Sequence, residues 1–271
     1  MTEVPEGARL EALLSGYGPL AVAVSGGVDS MTLAHIAGRT LGQRLQVFHA
    51  ISPAVPPEAS ARVRRHAGRQ GWRLELIDAG EFRDPDYLAN PANRCFFCKF
   101  NLYGAIGERT EAAIASGTNL DDLSDYRPGL EAAARHRVVH PYVAAGVDKA
   151  GVRRLARGLG LDDLAELPAA PCLSSRLQTG IRVTPETLSF VHAVEQAVEA
   201  ALKPKTVRCR VRRDGVAIEL DPESLTLIEA RESDGLRASI AELCRIRGRE
   251  APRFQPYRMG SAFERPAGHG G

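Results

Sequence analysis

The chain has 271 residues, 44% of them apolar and 25% charged, with a formal net charge of +2 at pH 7. That length allows one or two domains with a full hydrophobic core, and the near-balanced charge argues against a strongly basic nucleic-acid module. No run of roughly 18 apolar residues is present to cross a bilayer, and the opening Met1-Thr2-Glu3-Val4-Pro5-Glu6 lacks the basic and apolar regions of a secretory signal. A cytoplasmic, reducing setting is therefore expected. The five cysteines are then expected as thiols or ligands rather than disulfides.

The first part of the chain alternates strand and helix patterns. Strands are predicted over 20–25, 45–51, 73–78, 112–117 and 137–140. Helices are predicted over 30–41, 57–70, 99–109 and 148–159. Strands separated by helices give right-handed βαβ units and a parallel sheet covered on both faces. The Pro-rich stretch around Leu167-Pro168-Ala169-Ala170-Pro171 marks a break. Beyond it, Thr184-Pro185-Glu186 starts a helix that runs to about Leu202. Residues 206–220 alternate around Arg213-Asp214-Gly215 and read as a hairpin. Asp221-Pro222-Glu223-Ser224 opens another helix, and 234–246 reads as a third. The expected organisation is an α/β domain over 1–165, a loop or linker over 166–183, a smaller α+β domain over 184–262 and a disordered tail over 263–271.

The chemistry-bearing segments sit at defined places in that plan. Ala21-Val22-Ala23-Val24 is a buried parallel strand, and Ser25-Gly26-Gly27-Val28-Asp29-Ser30 turns tightly into a helix. A glycine-rich turn there binds phosphate, because free N–H groups and the helix dipole both point at the anion. The turn lacks the GxxxxGK[ST] and GxGxxG patterns of the common nucleotide loops. Its carboxylate, Asp29, is a candidate magnesium ligand. Asn93-Arg94-Cys95-Phe96-Phe97-Cys98-Lys99 holds a CxxC, whose spacing lets two thiolates converge on one metal or cluster. Ser116-Gly117-Thr118-Asn119-Leu120-Asp121-Asp122-Leu123-Ser124-Asp125-Tyr126-Arg127 starts at a strand end and can hold magnesium and an anionic substrate. Pro171-Cys172-Leu173-Ser174-Ser175-Arg176 puts a cysteine near a cation, a setting that favours a nucleophilic thiolate. Cys209 and Cys244 read as packing residues.

SGGVDS resembles the PP-loop of the ATP pyrophosphatases. Together with NRCFFCK, GTNLDDLSDYRPGL and PCLSSR, in this order, it resembles the LarE family. The C-terminal Val207-Arg208-Cys209-Arg210, Ile218-Glu219-Leu220 and Tyr257-Arg258-Met259-Gly260-Ser261 look like that family's second domain. The resemblance implies a Rossmann-like, adenine nucleotide alpha hydrolase-like parallel-sheet domain with a smaller α+β domain. It implies ATP-dependent sulfur transfer: a carboxylate of pyridinium-3,5-biscarboxylic acid mononucleotide is adenylated, sulfur displaces AMP, and a thiocarboxylate of the nickel-pincer cofactor pathway forms. Sulfur comes from Cys172, which becomes dehydroalanine, or from a [4Fe-4S] cluster on Cys95, Cys98 and Cys172.

The resemblance also implies roles. Ser25, Gly26, Gly27, Asp29, Ser30 and Gly117 would bind ATP, and Asp29, Asp121 and Asp122 would serve Mg2+. Arg127, Arg176, Arg208 and Arg210 would bind the pyridinium nucleotide, since arginine grips phosphate and carboxylate bidentately. Arg212-Arg213 departs from the family's His-containing pattern, so the division among the arginines stays open. A homo-oligomer with no membrane or nucleic-acid partner is expected. The alternatives are a tRNA-thiolating PP-loop enzyme, an ammonia-dependent synthetase that needs neither the CxxC nor Cys172, and a nucleotide sensor that binds ATP without releasing pyrophosphate.

Overall fold

The computed structural model describes residues 5–123, 128–168, 171–230 and 233–264. Arg127, expected at the substrate, and most of the expected tail lie outside them. In chain order the elements are α1 (Glu6–Gly16), β1 (Leu20–Ala23), α2 (Val28–Leu41), β2 (Leu45–Ala50), α3 (Pro57–Gln70), β3 (Arg73–Ile77) and α4 (Pro85–Leu88). There follow α5 (Arg94–Gly107), β4 (Ala113–Ala115), α6 (Pro128–Arg135), α7 (Pro141–Ala144), α8 (Lys149–Gly158) and α9 (Asp162–Ala165). The last are α10 (Pro185–Leu202), β5 (Val207–Arg212), β6 (Gly215–Leu220), α11 (Pro222–Glu229), α12 (Asp234–Ile246) and β7 (Arg253–Pro256). They form two compact units. The first takes the chain up to Asp84 and from Asn93 to Ala170; the second takes Pro85–Ala92 and the chain from Pro171.

The first unit is a four-stranded parallel sheet in the order β3-β2-β1-β4. Strand β1 reads Leu-Ala-Val-Ala, and successive side chains point to opposite faces. Val22 packs with Leu33, Val47, Leu10 and Leu14 on one side, whereas Ala21 packs with Phe48, Tyr103 and Ile106 on the other. Burying each such Leu, Ile or Phe contributes about 2 kcal/mol. The sheet grows away from β1 in both directions, through β2 and β3 on one side and β4 on the other. The chain therefore changes direction between β1 and β4, and at such a point loops part and leave a crevice beyond the carboxyl strand ends. The Ser25–Ser30 turn lies at that end of β1.

Two predicted elements differ. Residues 137–140 make a single parallel bridge, Ala115 to Val139, rather than a strand. The helix predicted from 99 begins at Arg94, so both cysteines of the CxxC lie within α5 rather than ahead of it.

The second unit holds the predicted hairpin. Val207 faces Leu220 and Arg212 faces Gly215, with Arg213-Asp214 as the two-residue turn. Strand β7 adds itself parallel to β6, so this small sheet is mixed. Helix α10 starts where Thr184 accepts the Thr187 N–H at 3.2 Å with Pro185 in the first turn. Pro85–Ala92 was read as part of the first domain, yet it is stitched into this unit. Gly180 donates to Asn90 O at 2.8 Å, and Val183 donates to Leu88 O at 2.9 Å. Tyr87 is fully buried with its hydroxyl 2.7 Å from Ser174 Oγ. No helix among the described residues is long and apolar enough to cross a membrane.

Candidate functional site

The phosphate turn is built from small residues because nothing larger fits. Gly26 has φ +83°, and a Cβ there would lie 2.8 Å from Ala59 O. Gly27 caps α2 with no side-chain hydrogen bond to the helix N-terminus, which leaves the first turn's N–H groups for an anion. The two serines knit the turn shut from inside. Ser30 Oγ accepts the Ser25 N–H at 3.0 Å and lies 3.3 Å from Ser25 Oγ. Gly117 faces the same helix start. A Cβ on it would stand 2.7 Å from Ser30 N and 2.9 Å from the Asp29 carbonyl carbon. Gly117 was expected to bind ATP; its position shows why it must be glycine, since β4's end abuts the backbone of the phosphate turn.

Asp29 is the centre of a polar network that the sequence reading reached only in part. Its Oδ2 accepts from Lys149 Nζ at 2.5 Å, and its Oδ1 accepts from Asn119 Nδ2 at 3.1 Å. Tyr142 OH donates to the Asp29 carbonyl at 3.0 Å, and burial drives that phenol's pKa well above its usual value, so it stays protonated. Lys149 begins α8, whose N-cap Asp148 accepts the Gly151 N–H at 2.6 Å. Asp121 and Asp122 shape the loop around this pair. Asp122 Oδ2 accepts the Asn119 N–H at 3.1 Å, and Asp121 Oδ2 accepts the Lys149 N–H at 3.4 Å. Beside them Ser116 Oγ lies 2.8 Å from His140 Nδ1. Burial lowers the His140 pKa, which keeps the ring neutral at pH 7. Lys149, Asn119, Tyr142 and His140 were missed. The Asp-Lys at a helix start was the available signal for Lys149.

The expected arginines have different partners. Arg176 is 4% exposed and grips Glu195 with two bonds of 2.9 Å; its Nη1 donates to Pro171 O at 2.7 Å and Cys172 O at 3.3 Å. Arg210 is equally buried, with Glu219 at 2.8 Å and Ser175 O at 3.1 Å. Both were expected to reach substrate; each also pairs with a buried glutamate, and together they bond the main chain around Cys172. Arg208 stays half-buried 5.9 Å from the Tyr257 ring centre, and desolvation followed by the nearby Arg176 charge lowers its pKa. Cys172 itself is half-buried and caps a short turn over Leu173–Arg176. Cys209 and Cys244 are buried, as expected of packing residues, and burial pushes the Cys209 thiol far up.

The donor sets can be tested for the implied groups. Magnesium takes hard oxygen ligands, commonly one or two carboxylates plus phosphate oxygens. Asp29, in the phosphate turn, fits that set. Cys95 and Cys98 lie three residues apart on one face of α5, exposed and half-exposed. Cys172 belongs to the other unit. Among the described residues no three of His, Cys, Asp and Glu gather into a metal-holding group.

No protein-family profile matches the chain. An uncharacterized protein of Synechocystis is 37% identical over 224 residues, an alignment covering 80% of this chain and 83% of that one. The pyridinium-3,5-bisthiocarboxylic acid mononucleotide synthase of Lactiplantibacillus plantarum is 28% identical over 222 residues, with 80% and 79% covered. A probable tRNA sulfurtransferase of Methanothermobacter thermautotrophicus is 24% identical over 196 residues, covering 67% of this chain and 49% of that one. On these alignments, and with the phosphate turn on its parallel sheet, the chain belongs to the LarE family within the PP-loop superfamily.

Proposed function

We propose that this ATP-dependent sulfur-transferring enzyme adenylates a carboxylate of pyridinium-3,5-biscarboxylic acid mononucleotide and converts it to a thiocarboxylate. The observation that carries the reading is the open N-terminus of α2 with Asp29 held between Lys149 and Asn119. Pyrophosphate is the leaving group, so the site must stabilise charge that develops on the β- and γ-phosphates. The α2 N–H groups and the Lys149 ammonium are the groups able to do so. Magnesium, if held through Asp29, would supply further positive charge to those oxygens. Lys149 bonds Asp29 Oδ2 at 2.5 Å and would be placed to meet phosphate oxygens if a cation took that carboxylate.

Sulfur is proposed to come from Cys172. Its thiolate attacks the acyl adenylate and expels AMP, forming a thioester. Loss of the Cys172 α-proton with cleavage of its Cβ–Sγ bond then leaves dehydroalanine and releases the thiocarboxylate. The rigid hold of Arg176 on the Pro171 and Cys172 carbonyls supports a fixed nucleophile. A second reading, thiolation of tRNA, is favoured by the name of the Methanothermobacter relative and opposed by the +2 net charge.

The test is a single anaerobic reaction with ATP, magnesium and the biscarboxylate mononucleotide, read by product mass and intact protein mass together. Thiocarboxylate with a chain that has lost the elements of hydrogen sulfide supports Cys172 as donor. Thiocarboxylate with an unchanged chain mass overturns that donor and makes a cluster on Cys95, Cys98 and Cys172 the source. Absence of thiocarboxylate from a folded, ATP-binding sample, with sulfur appearing in added tRNA, overturns the substrate.

A further inference from the structure

We infer that Arg62, with His49 and Ser60, is a brace that sets the peptide planes of the phosphate turn, and so fixes the shape of the loop that meets the nucleotide. The inference rests on the reading of Ser25–Ser30 as a phosphate site. In a trans peptide the C=O of one residue and the N–H of the next point in opposite directions. Whatever holds a loop carbonyl from behind therefore aims the following N–H forward. Two carbonyls of the turn are held in this way, both by side chains of β2 and α3. Arg62 Nη1 donates to Gly26 O at 2.8 Å, which turns the Gly27 N–H to the other side, where it meets Ser25 Oγ at 3.4 Å. His49 Nδ1 lies 2.9 Å from Val24 O, and the Ser25 N–H of that peptide meets Ser30 Oγ at 3.0 Å.

The proton positions follow from the partners. A carbonyl only accepts, so His49 Nδ1 carries the hydrogen. The ring is 1% exposed, and desolvation lowers its pKa, so it is neutral and Nε2 accepts. Ser60 Oγ, 2.8 Å from Nε2, is then the donor. Ser60 thus fixes the tautomer that His49 needs to hold Val24 O. The same stretch of α3 presses its backbone on the turn, since Ala59 O closes the space beside Gly26. Glycines at 26 and 27 leave these planes free to rotate. A brace is what makes such a flexible turn a preorganised anion site, because the ordering cost is met on folding rather than on binding.

The test measures pyrophosphate release against MgATP concentration for wild type, Arg62→Ala, Arg62→Lys and Ser60→Ala, with the unfolding midpoint of each. Arg62→Ala is expected to raise the MgATP KM by about ten- to hundredfold, the worth of one hydrogen bond from a charged donor, with kcat within about threefold of wild type. Arg62→Lys, or added guanidinium ion with Arg62→Ala, is expected to recover part of that loss. Ser60→Ala is expected to shift KM the same way by less. A KM unchanged in both Arg62→Ala and Ser60→Ala overturns the brace. So does a KM rise that neither lysine nor guanidinium recovers. If Arg62→Ala does not fold, Ser60→Ala decides alone. Wild type that binds no MgATP would instead sink the phosphate-site reading, which separates the two failures.

Discussion

Acidification should destabilise this protein through one buried imidazole. His35, on α2, is 5% exposed; its Nε2 lies 2.9 Å from His66 Nδ1, and His66 Nε2 lies 3.1 Å from Asp163 Oδ2. An ionised carboxylate only accepts, so His66 Nε2 carries a hydrogen; with His66 Nδ1 as the acceptor, His35 Nε2 donates. The His35 ring also packs edge-on against Trp72, with ring centroids 4.8 Å apart. Desolvation, and then the nearby His66, hold the His35 pKa at about 4 against an ordinary 6.5. The folded pKa is depressed, so the unfolded chain binds the proton more readily between these values. Stability from this group is therefore complete above pH 6.5 and is lost as pH falls toward 4. At 1.36 kcal/mol per unit the loss is about 2 kcal/mol by pH 5 and about 3 kcal/mol by pH 4. Urea unfolding followed by Trp72, the single tryptophan, reads it as a midpoint lowered by about 1 M between pH 7.5 and 5. His35→Gln can still donate to His66 but cannot titrate. Its loss over the same range should be smaller by that amount, even though His49 and His140 also resist protonation. Equal losses in wild type and His35→Gln would refute the reasoning.

Gly117→Ala should cost about 1–3 kcal/mol by overpacking and abolish MgATP binding, because a Cβ 2.7 Å from Ser30 N must displace the start of α2; thermal unfolding and a nucleotide titration check both. Lys149→Met should leave the unfolding midpoint near wild type and raise the MgATP KM at least tenfold or so in pyrophosphate release, since it removes the ammonium beside Asp29. Cys172→Ser should retain ATP–pyrophosphate exchange with the substrate present and form no thiocarboxylate; loss of the exchange would show that Cys172 also acts in adenylation. Glu195→Gln should destabilise the protein by about 3–5 kcal/mol in denaturant unfolding, because it leaves the Arg176 charge buried without its partner.

The parallel sheet and the phosphate turn were legible because their signals are local. Four apolar residues, then SGGVDS, then an apolar-faced helix state strand, turn and helix within about 20 positions. The polar network was not, because its parts meet only in the fold: Lys149 reaches Asp29 across 120 positions. Arginines 176 and 210 were read as substrate ligands from the resemblance and from arginine's bidentate grip on phosphate and carboxylate. Their buried partners, Glu195 and Glu219, read as ordinary surface carboxylates in a helix and a strand. Strand β7, four residues ending in Pro256, is too short for alternation to show. Pro85–Ala92 carries nothing in its own residues that assigns it to the second unit.

That last segment has a consequence for how the chain is made. Residues 85–92 leave the ribosome with no finished unit to join, because their partners begin only at Pro171, after 78 intervening residues. At ordinary translation rates this is a wait of about 4–16 s. Through it Tyr87 lacks Ser174, and Asn90 lacks the Gln178 and Ile181 carbonyls that its amide meets at 2.8 and 2.9 Å. The first unit must close around a loop it does not keep. A nascent chain stalled before Pro171 is thus left with an apolar, turn-forming loop exposed, the kind of segment that chaperones hold and proteases cut.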